Sequence, residues 1–149
     1  MQRPPDTQPR YEQDLFAWLT ANAELLRQGR LHEIDAVQIA EELEDMGKSE
    51  RRAIESYLAV LILHLLKWQY QPSLRGPSWQ QSIDNARDAI DRRLQDSPSL
   101  RPRLDAMIAT RYPNVRKNAM RETGLPIETF PATCPFDIVQ LLDEAFWPN

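Results

Sequence analysis

The chain has 149 residues, 42% of them hydrophobic and 27% charged, with a formal net charge of −4. This is the length of one ordinary domain and enough to bury roughly two thirds of its unfolded surface, which excludes disorder as the global state. One cysteine, Cys134, excludes a disulfide scaffold, and with only two histidines a zinc finger is excluded too.

Four glycines stand against twelve prolines. Many-stranded folds spend glycine on turns and bulges, so a glycine-poor chain with long unpunctuated segments reads as all-helical. The opening, MQRPPDTQPR, has no apolar h-region and reads as a flexible lead-in over residues 1–10 rather than a secretory signal. Residues 11–149 are expected to form a single helical domain, a compact bundle of about five to seven helices.

The first helix is predicted from Tyr11 to Gln28, with Phe16, Leu19, Ala23 and Leu26 facing inward and Gly29 as its stop. The second starts at Asp35, a good N-cap residue, turns Val37, Ala40, Leu43 and Met46 inward and stops at Gly47. The third, about 49–70, carries Ile54, Leu58, Leu61, Leu65 and Trp68 on one stripe and Leu63 and Leu66 on other faces. A helix apolar on most sides has to be surrounded by other helices, which places it at the centre. Its most apolar run, Tyr57 to Trp68, is about half the ~20 residues of a membrane span, so no membrane partner is expected. A lone cysteine and no leader make a cytoplasmic location the expectation.

Pro77 suits the first turn of a fourth helix carrying Trp79, Ile83, Ala86, Ile90 and Leu94. Ser99 caps a fifth, with Leu104, Met107 and Ile108 inward, which Pro113 is expected to break or kink. A sixth segment, Asn114 to Thr123, stops at Gly124. After a proline-punctuated connector, a last helix from Pro135 to Ala145 turns Phe136, Val139, Leu142 and Phe146 inward.

Charge is unevenly laid out. Residues 1–74 hold 8 Lys/Arg and 12 Asp/Glu, residues 75–123 hold 10 and 6, and residues 124–149 hold 0 and 4. The basic middle block is where a nucleic-acid reading would start. However, Asp84, Asp88, Asp91 and Asp105 are interleaved with its cations, and Asp84–Arg87 and Asp88–Arg92 have helical pair spacing. A solvated, ion-paired surface is therefore preferred, and nucleic acid is disfavoured as a partner.

Candidate chemistry is sparse. There is no phosphate-binding glycine loop and no nucleophile elbow. Cys134, near the start of the last helix, is read as inert. The one suggestive set is Glu41 and Glu44 on the second helix with His64 on the third, since helix bundles build metal sites from such residues on facing helices. Against it, Leu61 stands where that template has its glutamate, and Lys67 is a cation three residues on. A structural His64 holding one hydrogen bond is preferred, and no cofactor is expected. Lys67, Trp68, Tyr70 and Trp79 would form either a recognition surface or, preferably, a seal over the end of the core.

The blocks YEQDLFAWL, ELLRQGRLHEID, IAEELEDMGKSERRAIES, HLLKWQYQP, DSPSL, ETGLPIETFP and CPFDIVQLLDE, in this order, resemble the bacterial domain of unknown function family 29 over roughly residues 11–147. The resemblance implies an all-helical domain of prokaryotic origin. The family has no assigned activity, so no catalytic residue carries over; the block HLLKWQYQP draws attention to His64, Lys67 and Trp68 without giving them a role.

The preferred functional reading is a non-enzymatic module that binds a protein partner or self-associates as a homo-oligomer. It predicts an exposed apolar patch larger than ~400 Å² or a dimer contact above ~1,000 Å². A metal- or small-ligand-binding bundle using His64 with Glu41 and Glu44, and weak nucleic-acid binding through 75–123, are the alternatives.

Overall fold

The computed structural model describes residues 8–149; most of the expected lead-in, residues 1–7, lies outside the described residues. The described chain is helical with no strand. Five α-helices follow in order: α1 (Leu15–Arg27), α2 (Ala36–Tyr70), α3 (Pro77–Asp96), α4 (Leu104–Thr123) and α5 (Ile138–Leu142). Short 3-10 turns occupy Pro72–Leu74, Pro98–Arg103 and Ile127–Thr129. The chain divides into two compact units, Met1–Met46 and Gly47–Asn149.

In the first unit, Asp14 caps α1 by accepting from the Ala17 amide at 3.0 Å. The helix ends in a Schellman motif: Gly29 sits at φ +69°, its N–H donates to Leu26 O, and the Arg30 N–H donates to Leu25 O. Only glycine takes that left-handed conformation at little cost. The buried face of α1 is Trp18, Asn22 and Leu25. The expected stripe of Phe16, Leu19, Ala23 and Leu26 is thus displaced to the next face, and Phe16 is 80% exposed. The buried face takes the larger indole, against which Tyr11 packs edge-on at 5.2 Å. It also satisfies a polar residue: the Asn22 amide donates to Trp18 O at 3.0 Å, and its oxygen accepts from the Asp35 N–H at 3.1 Å. Asp35 opens α2 as expected, accepting from the Gln38 N–H at 3.2 Å.

Where two helices were expected at 35–47 and 49–70, one 35-residue helix runs through. Gly47 and Ser49 lie inside it, and Gly47 has no positive φ. A glycine in a helix costs about 1 kcal/mol relative to alanine. That is too little to end a helix whose neighbours, EELEDM and KSERRA, are mostly strong helix formers. Val37, Leu43 and Met46, expected inside, are 75%, 63% and 65% exposed.

In the second unit the apolar part of α2 is the hub, as expected: Ile54, Leu58, Leu61, Ile62, Leu65 and Leu66 are fully buried. Pro77 occupies the first turn of α3, which buries Ile83, Ala86, Ile90 and Leu94. Pro113 does not end α4, which continues as one α-helix to Thr123. Losing one backbone hydrogen bond at Pro113 is outweighed by a single buried row through it, Leu104, Met107, Ile108, Tyr112, Val115 and Ala119. Tyr112 also donates its hydroxyl to Pro131 O at 2.5 Å. Gly124, at φ +72°, stops the helix, its N–H bonding Met120 O. The last helix is shorter than expected, opening on a capping box of Asp137 with Gln140. It buries Leu141 and leaves Val139 74% exposed, reversing the expected inward position of Val139.

Candidate functional site

The carboxylate–histidine set lies along one continuous helix, α2. Glu41 and Glu44 lie on the same helix as His64, 23 and 20 positions earlier. All three residues thus come from one helix, not from two. His64 has Nδ1 at 2.7 Å from Val60 O in its own helix. Glu41 and Glu44 are exposed, and the nearby Glu42 accepts from the Tyr11 hydroxyl. Among the described residues no three His, Cys, Asp or Glu side chains are grouped to hold a metal ion.

The aromatic set at the end of α2 separates into three contacts. Trp68 packs on Trp147 at 4.7 Å between ring centroids, and Arg75 lies 5.2 Å over the Trp68 ring while donating to Trp68 O at 2.6 Å. Lys67 reaches over Trp79 at 4.9 Å and pairs with Glu122 at 3.4 Å. Tyr70 meets Phe130 edge-on at 5.2 Å. Lys67, Trp68, Tyr70 and Trp79 are all half-buried.

The basic segment 75–123 is resolved into cations with different fates. Arg93 pairs with Glu50 at 3.0 Å, and Arg111 pairs with Glu55 at 3.3 Å, both across to α2. Arg92 reaches the Asp88 backbone carbonyl, at 3.4 Å, rather than its carboxylate. Lys117 and Arg121 are exposed and make no ion pair among the described residues. With Arg111, Asn114 and Asn118 they line a groove of about 370 Å³ along α4.

In the first unit a different surface stands out. Leu15, Leu19 and Leu26 form one row on α1 and are 46%, 43% and 43% exposed, with Phe16 beside them. Eight of the eleven large apolar side chains that are exposed on the described chain fall within residues 15–46, and the second unit, more than twice as long, holds three. Over residues 8–46 there are nine Asp/Glu and three Lys/Arg.

The family model described as "Domain of unknown function DUF29" matches residues 10–147. The chain belongs to this family. No curated protein and no solved structure matches it. The expected family resemblance thus holds over nearly the whole chain, and so does the all-helical fold it implied.

In the DUF29 domain the setting of Arg87 differs from the one its spacing suggests. Arg87, expected as a surface partner of Asp84, is 2% exposed. Its Nε donates to Leu141 O at 2.8 Å, and its Nη2 to Phe146 O at 2.9 Å and Gln140 O at 3.2 Å. Burial pulls its pKa below the ordinary arginine value. Cys134 is half-buried, and desolvation pushes its thiol pKa up while its Sγ contacts Phe136 O at 3.4 Å. It lies ahead of α5, which starts at Ile138, so no helix N-terminus activates it. No helix among the described residues is long and apolar enough to cross a membrane.

Proposed function

We propose that this DUF29 domain is a non-enzymatic protein-interaction module whose first unit binds a cationic amphipathic helix of a partner protein. One observation carries the reading: the row Leu15–Leu19–Leu26 with Phe16 leaves large apolar side chains in water. Covering each such side chain is worth about 1.5–3 kcal/mol at full burial. An apolar row spaced at helical intervals suits a helix laid along it.

Charge selects the partner. Glu12, Asp14, Glu41, Glu44 and Asp45 are exposed in the same unit, whereas Arg27 and Arg30 pair locally with Glu24 and Glu33. Two copies meeting through this unit would oppose like charges, and a Lys/Arg-rich apolar helix would not. Glu41 and Glu44 thereby serve as part of this unit's acidic surface.

The test is a fluorescence-anisotropy titration of the full chain with a labelled amphipathic peptide of leucine and lysine. Saturable binding, weakened by salt and lowered at least about tenfold by combined Phe16→Ser and Leu19→Ser, is expected. Both positions are exposed, so the fold survives the change. Equal binding by the variant would defeat the reading. Sedimentation that shows a dimer lost in the same variant would assign the face to a second copy instead.

A further inference from the structure

We propose that the α4 groove is a binding site for a small organic phosphate. This is independent of the first-unit interaction face. Arg111, Asn114, Asn118 and Arg121 follow one another at intervals of three, four and three, so α4 presents them on one face. The groove they line, at about 370 Å³, is the size of a small-ligand pocket. No carboxylate lines it.

The charge balance inside the groove defines the ligand. Arg111 is held by Glu55, which also lies 3.8 Å from Arg51, so its position is fixed and its charge is only partly offset. Lys117 and Arg121 bring two positive charges that no acidic side chain among the described residues neutralises. A phosphate monoester, with close to two negative charges at neutral pH, matches that pair and gains charge-assisted hydrogen bonds from it. The Asn114 and Asn118 carboxamides are exposed and bond to nothing among the described residues, which leaves donors and acceptors for ligand hydroxyls. Val115 and Ala59 supply an apolar floor for the organic part.

An extended polyanion fits less well. A duplex is held by many phosphate contacts spread along a face. Here Arg87 is buried, Arg93 is paired with Glu50, and Asp84, Asp88 and Asp91 punctuate the neighbouring helix.

Isothermal titration calorimetry of the full chain at low ionic strength tests this, using inorganic phosphate, glucose 6-phosphate, adenosine monophosphate and a short DNA duplex as probes. At least one of the two esters is expected to bind one to one and more tightly than inorganic phosphate. Lys117→Gln with Arg121→Gln is expected to cost about tenfold per charge removed. Thermal melting of that variant should be unchanged, since neither side chain has a partner to lose. No ester binding at millimolar concentration, binding unaffected by the double variant, or equal affinity for inorganic phosphate would overturn the proposal. Binding of the duplex alone would give the surface to nucleic acid and overturn it as well.

Discussion

The guanidinium of Arg87 on α3 holds the backbone of Leu141 on α5, with Nε 2.8 Å from the carbonyl oxygen. Together with the bonds to Gln140 and Phe146 this fastens the C-terminal segment, and Trp147 lies over the same group at 5.7 Å. The bound carbonyls offset the cost of burying the cation. Nη1 has no partner among the described residues.

Arg87→Met is therefore expected to destabilise the chain by about 3 kcal/mol or more, since three carbonyls lose a charged donor. Arg87→Lys should rescue little, because one ammonium cannot reproduce the fork. Urea unfolding with hydrogen exchange at residues 138–147 checks both, with the exchange loss largest there. A midpoint equal to the wild type would contradict the clasp.

Gly47 tests the continuity of α2. A β-carbon there meets nothing within 4 Å and the backbone has no positive φ. Gly47→Ala should stabilise by about 0.5–1 kcal/mol. The same change at Gly29 or Gly124, at φ +69° and +72°, should destabilise by about 1 kcal/mol. Loss of stability at Gly47 comparable to those two would show that it is a helix stop after all.

Tyr112 sets a limit at high pH. Burial pushes its pKa from 10.0 to about 12. The folded state therefore keeps the proton longer than the unfolded state, and stability is complete below pH 10 and falls as pH rises toward about 12. The slope from this residue is at most about 1.4 kcal/mol per pH unit. Tyr112→Phe should cost about 1 kcal/mol at neutral pH, for the bond to Pro131, and flatten the alkaline fall. Denaturation curves of both proteins across that range measure the difference; parallel falls would remove Tyr112 from the account.

What could be read from the sequence was what is local. Pro77 at a helix start, Gly29 and Gly124 past helix ends and the apolar stretch around Leu61 each act through their own backbone or periodicity. Gly47 and Pro113 were misjudged because tertiary packing and strong neighbouring helix formers override a penalty of a few kcal/mol. On α1 the apolar residues sweep round two adjacent faces, and only the fit of Trp18 and the bonds of Asn22 decide which is buried. Arg87 gave no local signal, its acceptors lying 53 to 59 residues away. The cations of 75–123 were visible as a block. Which of them stay free depends on Glu50 and Glu55 from α2, and spacing within the block does not reveal that.

The most direct measurement for the proposed function is hydrogen exchange on the full chain with and without the leucine–lysine peptide. The account predicts slowed exchange concentrated in α1 and the first turns of α2, residues 15–46, with residues 47–149 little changed. Protection confined to residues 47–149, or none at saturating peptide, would contradict it.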